Sequence, residues 1–239
     1  MQGFKPYAFV AGWSLFAGSH FVLSHPKNRD YVIKEYFDGS ELNFQTAYSL
    51  FAMTTFIPTC VYYMNYSRFL KPRLFIPNKP MRITARILQV SSAFMFSQAL
   101  YADIPTISKN ENEEKWEPKG ILRITRHPLF GSFALLGIGN VLNSGYLGPT
   151  IFWGAFPIFW YFGSMHQDMR KKNDLPANYF SETSILPFKA IIEGKQSLWE
   201  ALEEMEWSAG LGSATAMATL IATRPKSYSR FECSGCFFF

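Results

Sequence analysis

Residues 119–131 read KGILRITRHPLFG. Arg123, Arg126 and His127 stand at the mouth of an apolar run that opens with Pro128 and continues to about residue 146. Proline suits the first position of a helix, where its missing N–H is no loss, and it pushes the preceding residue out of the helical region. The stretch therefore predicts a helix beginning at Pro128 with titratable side chains at its entry. At membrane depth such groups are costly, roughly 2.5 to 3.5 kcal/mol for arginine on the mildest scale. They persist only against a polar cavity, a cofactor or lipid headgroups. The stretch is either an interfacial anchor or the wall of a site.

Outward from it, apolar windows recur at about 6–24, 44–64, 83–103, 149–165 and 207–223, each close to the roughly 20 residues that a spanning helix needs. Charged residues make up 17% of the 239-residue chain, against about 25% in an ordinary soluble domain, and aromatics make up 18%. These blocks predict an all-α, multi-pass transmembrane helical bundle of five to six spans. The last window is rich in small residues and would either pack closely against a neighbour or fail to span. Residues 1–223 read as a single membrane domain and 224–239 as a polar tail. No cleavable leader is expected before the first span.

The connections differ in character. Residues 25–43 are charged and end in the turn signal Asp38-Gly39-Ser40. Residues 65–82 mix Pro72, Pro77 and Pro80 with Arg68, Lys71 and Arg73, and residues 104–120 carry the acidic run Glu111, Glu113 and Glu114. Residues 144–148 predict a tight hairpin, and 189–206 one amphipathic helix. The net charge of +5 sits in short loops beside apolar spans, where headgroups rather than nucleic acid would meet it. Three cysteines are too few for a disulfide framework, and Cys233-Ser-Gly-Cys236 stands alone in the tail. Lysine and arginine divide too evenly between the two sides to set an orientation.

By alternation of six spans, His20, His25, His127 and His166 lie toward one face. That pattern is either the ordinary gathering of amphipathic rings at an interface or one polar site. Beside His166 come Asp168, Arg170 and Lys172, and i,i+4 spacing pairs His166 with Arg170 and Asp168 with Lys172 on a solvated helix end. The alternative follows from the hairpin, which makes the helices around it antiparallel neighbours. Asp168 would then pair with Arg126 or Arg123 and orient His127. Asn140 lies inside the apolar run, and a buried amide must be hydrogen-bonded. It is either a helix–helix contact or part of a site.

Four stretches carry a resemblance: AGSHFVLS at 17–24, WEPKGILRITRHPLFGSF at 116–133, GSMHQDMRKK at 163–172 and SILPFKAIIEGKQSL at 184–198. On these the chain resembles the NnrU family of membrane proteins, and within it the plastid 15-cis-zeta-carotene isomerases. The resemblance implies an integral membrane protein, in a plastid membrane, that turns a cis double bond of a long polyene to trans on haem b held by two histidines. It implies His20 as the first axial ligand and metal-binding residue. The second axial position falls on Asn140, where the family has histidine, so His127 or His166 would have to serve instead. Gly137 stands at the family's cysteine, and Tyr66 at a further family histidine. The implied partners are membrane lipid and a long apolar molecule such as a carotenoid, with no nucleic acid. Two other readings stay open. One is a catalytically silent lipid-binding paralogue. The other is an S-adenosylmethionine-dependent membrane methyltransferase, with Arg126 and His127 lining the cofactor pocket and Asp168 where those enzymes carry paired glutamates.

Overall fold

The computed structural model describes residues 6–66, 72–104, 116–172, 174–175 and 177–223. The acidic run at Glu111, Glu113 and Glu114, the basic Arg68 and Lys71, and the tail with Cys233 and Cys236 lie outside the described residues. The described chain is all-α. Its helices are α1 (Tyr7–Ser24), α2 (Pro26–Tyr36), α3 (Glu41–Tyr66), α4 (Lys79–Tyr101), α5 (Ile121–Ile124), α6 (Pro128–Ser144), α7 (Leu147–Lys171), α8 (Ala177–Glu182), α9 (Lys189–Ile192), α10 (Leu198–Glu203) and α11 (Trp207–Thr223).

Each apolar window folds as a helix: α1, α3, α4, α6, α7 and α11. Among the described residues, no helix is long and apolar enough to cross a membrane. The reason differs between them. α6 and α11 have 17 residues each, about 26 Å at 1.5 Å per residue, against a hydrocarbon layer of about 30 Å. α3 reaches 26 residues and α7 reaches 25, but polar side chains such as Gln45, Thr54, Thr59 and Asn65 in α3 interrupt the apolar run.

Two connections differ from expectation. Residues 25–43 contain α2, because His25 takes the extended conformation (ψ 132°) that precedes a proline and Pro26 then starts a new helix. The expected turn follows it, with Asp38 and Gly39 both at positive φ. Residues 189–206 form two short helices instead of one. Gly194, at φ 72°, ends the first, and the Ser197 hydroxyl caps the second by accepting from Glu200 N–H.

The chain divides into two compact units. The first takes its described residues from Met1–Pro77 and Ser144–Ala155, the second from Asn78–Asn143 and Phe156–Arg224. In the first, Phe9, Trp13, Tyr63 and Phe152 form an aromatic core, with Tyr63 stacked on Phe152 at 4.3 Å and Trp153 Nε1 donating to the Tyr63 hydroxyl at 3.0 Å. In the second, α4 and α11 pack along their length. Gly210 permits the approach, since a Cβ there would stand 2.3 Å from the Phe94 ring. Gln98 closes the seam: its amide donates to Glu206 C=O at 2.9 Å and accepts from Glu206 N–H at 3.0 Å, serving a backbone group at the entry to α11. Gln98→Leu leaves Glu206 N–H without its acceptor, while Glu206 C=O keeps Gly210 N–H at 3.0 Å, and is expected to cost about 1–3 kcal/mol. Thermal unfolding checks this, and a melting temperature equal to wild type would show that the clasp is dispensable.

Candidate functional site

The site is built where the sequence turns between α5 and α6. Gly120 enters α5 at φ 53° and ψ −120°, a region that suits glycine. Thr125 leaves it extended (φ −151°, ψ 140°), and the chain then bends at Arg126 before Pro128 starts α6. Residues 183–188 run alongside. Arg126 N–H donates to Ser184 C=O at 2.8 Å, the Thr125 hydroxyl to Ile185 C=O at 2.8 Å, and Phe188 N–H to Ile124 C=O at 2.9 Å. The turn is thus held by backbone on one side and points its two side chains into the second unit.

Arg126 is buried. Its Nη1 meets Asp168 Oδ2 at 2.5 Å, Nε donates to the Thr183 hydroxyl at 3.0 Å, and Nη2 donates to the carbonyls of Thr183 (2.7 Å) and Phe180 (3.2 Å). The rings of Tyr179 and Phe180 lie 5.4 and 5.0 Å from the guanidinium carbon. A buried cation needs this degree of compensation. His127, 4% exposed, places Nε2 at 2.7 Å from Asp168 Oδ1 and stacks on Phe130. Asp168 therefore joins Arg126 and His127 through its two oxygens. A carboxylate accepting at Nε2 puts the proton of the neutral imidazole there and leaves the lone pair on Nδ1. Chemically, the group can hold a proton acceptor in one orientation and stabilise the imidazolium that would follow.

Of the two readings left open for Asp168, the structure has it with Arg126 and His127 instead of with Lys172, which lies beyond the end of α7. Arg123 is not part of this group. Its Nε and Nη2 form a bidentate pair with Glu204 at 2.8 Å each, and Nη1 reaches Glu200 at 2.9 Å and Gln196 at 2.7 Å. Two residues separate it from Arg126, and the extended Thr125 turns the two apart. Arg123, Glu117, Glu182, Lys195 and Glu200 line an open depression of about 520 Å³. Sequence reading missed Thr183 and Glu204. No local spacing singles out Thr183, and Glu204 is one of several glutamates between 200 and 206.

The hydrogen bond from Arg123, opposed by partial burial and aided by one from Gly120 N–H (2.7 Å), holds the Glu204 carboxyl below its usual 4.5. A lowered folded value means that the stabilisation is complete above the unfolded value and lost as pH falls through the folded one. Wild type is expected to lose stability below about pH 4.5 by an amount that Glu204→Gln does not show. Melting temperatures at pH 7 and pH 3.5 for both proteins test this, and parallel pH dependences would refute it.

The implied haem positions are distributed as follows. His20 is in the first unit, its Nδ1 donating to Phe16 C=O at 3.3 Å and its ring against Phe16 and Tyr48. Asn140 is in the second, on α6. Its Oδ1 accepts from Gln89 Nε2 at 3.1 Å and its Nδ2 donates to Leu136 C=O at 2.9 Å. It is a helix–helix contact between α4 and α6. Both ends of the amide are used, so Asn140 does not fit as an iron ligand. Gly137 is buried on α6 and Tyr66 ends α3. His166 is half-buried on α7. No group of three or more histidine, cysteine or acidic side chains suited to a metal ion occurs among the described residues.

An all-α protein with a buried arginine–aspartate–histidine group at the entry to a glycine-rich helix is the class so defined. The model of the NnrU protein family matches residues 8–223, and the chain belongs to that family. No curated protein and no solved structure matches it.

Proposed function

We propose that this NnrU protein is embedded in a membrane as a helical bundle of five to six spans and binds a long apolar ligand of the polyene class without bis-histidine haem. The membrane reading is supported by apolar faces left open: Leu15 and Val22 on α1, Met53 and Ile57 on α3, Ile87 on α4, and Phe162 on α7. Apolar exposure on this scale suits a surface that meets lipid. The ligand class comes from the family resemblance, which also supports a plastid membrane as its location. The observation that carries the reading is Asn140, whose amide bonds to Gln89 and Leu136 where a second axial histidine would stand. Arg126 makes four hydrogen bonds within the protein, which leaves little of it for a methyl-donor cofactor.

Two measurements test this. The protein is expected to stay in the pellet when membranes are washed with alkaline carbonate. After expression with ample haem, the detergent-purified protein is expected to be free of a Soret band, both oxidised and dithionite-reduced. A second reading, a haem-dependent cis–trans isomerase, is favoured by His20. Its Nδ1–H is turned to the Phe16 carbonyl, which puts the ring's lone pair on Nε2, the tautomer that an axial ligand needs. A Soret band that shifts on reduction and disappears in His20→Ala would replace the first reading with the second.

A further inference from the structure

Within the second unit, α6 and α7 pack antiparallel. Phe130 meets Phe159 and Phe133 meets Phe156, both at 6.2 Å, and His127 meets Asp168 at 2.7 Å. On α7 the positions 160, 164 and 168 follow at i, i+4 and i+8, so they form one stripe. Trp160 and Asp168, at the two ends of that stripe, both reach α6: Asp168 through His127, and Trp160 with Nε1 3.8 Å from the place of a Cβ on Gly131. Ser164 lies between them on the same stripe.

Ser164 is completely buried and its hydroxyl has no hydrogen-bond partner among the described residues; the buried Trp160 Nε1 has none either. Unsatisfied buried polar atoms are uncommon in folded proteins, and each costs about 1–3 kcal/mol. Here two occur one helical turn apart, on the stripe that ends at Asp168 and opposite a residue with no side chain. An indole N–H can only donate, and a hydroxyl can donate or accept. Their shared complement is an oxygen acceptor. The atoms beside them in the place of the missing Gly131 side chain are the methyl and sulfur of Met95, at 3.0 and 3.6 Å from that Cβ position. A thioether is the apolar side chain most easily moved aside.

We propose that the α6–α7 seam takes the oxygen-bearing end of the long apolar ligand, with Trp160 Nε1 and Ser164 Oγ donating to a carbonyl or hydroxyl oxygen. The proposal rests on the ligand-binding reading above and narrows it: the preferred ligand is an oxygenated isoprenoid instead of a pure hydrocarbon. A water molecule is the other source of the same chemistry. A hydrocarbon polyene would leave both groups unsatisfied, whereas an oxygen on its end would satisfy them and bring that end within a turn of His127.

The test uses the full-length protein in detergent and two linear pigments, lycopene and an apo-lycopenal that ends in a conjugated aldehyde. The expected result is aldehyde binding at least about tenfold tighter than lycopene, the scale of one or two well-made hydrogen bonds. The bound aldehyde should also absorb at longer wavelength, as a hydrogen-bonded conjugated carbonyl does. Ser164→Ala and Trp160→Phe should each reduce the preference and the band shift while lycopene binding stays the same. Ser164→Ala removes a buried hydroxyl with no hydrogen-bond partner among the described residues, so its melting temperature in the absence of pigment should equal or exceed that of wild type and serves as the folding control. Equal affinity for both pigments would overturn the proposal and assign the seam to water, with the ligand-binding reading intact. Failure of both pigments to bind would overturn that reading and this proposal together.

Discussion

Asp168→Ala is expected to destabilise the protein by about 3–5 kcal/mol, because it leaves the Arg126 guanidinium charged, buried and without its carboxylate. The Arg126 and Asp168 side chains are only 9% and 14% exposed, so water cannot take the place of the lost partner at small cost. The same change removes the acceptor at His127 Nε2 and frees the ring orientation. Asp168→Asn keeps the shape and removes the charge, and should fall between wild type and alanine. Removing both charges with Arg126→Met and Asp168→Leu should recover only part of the loss, since the Thr183 and Phe180 carbonyls then lack their donor. Thermal unfolding of the four proteins in one detergent decides the matter. If Asp168→Ala loses less than about 1 kcal/mol, the pair behaves as an exposed one and the burial argument fails.

Gly145→Ala should be equally severe for a different reason. Gly145 has φ 70°, where an L side chain costs about 1–2 kcal/mol. A Cβ there would also stand 2.3 Å from the Phe75 carbonyl oxygen. That oxygen belongs to backbone and cannot swing aside. It is held near Gly145 because Leu74 N–H donates to Gly145 C=O at 2.8 Å. Strain and clash together should exceed about 3 kcal/mol, in the range of the largest single-residue effects. Gly18→Ala is the matched control, since nothing lies within 4 Å of a Cβ there and its φ is ordinary. Equal melting temperatures for Gly145→Ala and Gly18→Ala would show that the hairpin relaxes without cost.

Much of the helical layout was readable without coordinates, for local reasons. Apolar runs of about 20 residues, bounded by Pro128, by the turn at Gly145 and by charged connections, mark α1, α3, α4, α6 and α11 within a few residues, while α7 runs on to Lys171, past the expected end near 165. The Asp168–Arg126–His127 group was one of two readings the sequence left open, because the tight hairpin expected at 144–148 makes α6 and α7 antiparallel neighbours and brings the start of one beside the end of the other. The short helices were not. α2 depended on how His25 and Pro26 partition a charged segment, and the break at Gly194 depended on a backbone conformation that composition does not reveal.

The partners within the site show the same division. Sequence by itself determined that cationic side chains gather at the entry to α6, that Asp168 is within reach of them, and that Asn140 needs a hydrogen bond. Only the tertiary structure decided that Arg123 goes to Glu204 and Glu200 while Arg126 goes to Asp168 and Thr183. It also decided that Gln89 answers Asn140, and that the Ser164 hydroxyl and Trp160 Nε1 are buried without a hydrogen-bond partner among the described residues. The physical reason is range. Periodicity, proline and glycine act over a single helical turn, whereas these pairings join residues 42 to 81 positions apart, and which of several chemically equivalent glutamates or carbonyls is chosen depends on the packing of helices that no local pattern encodes.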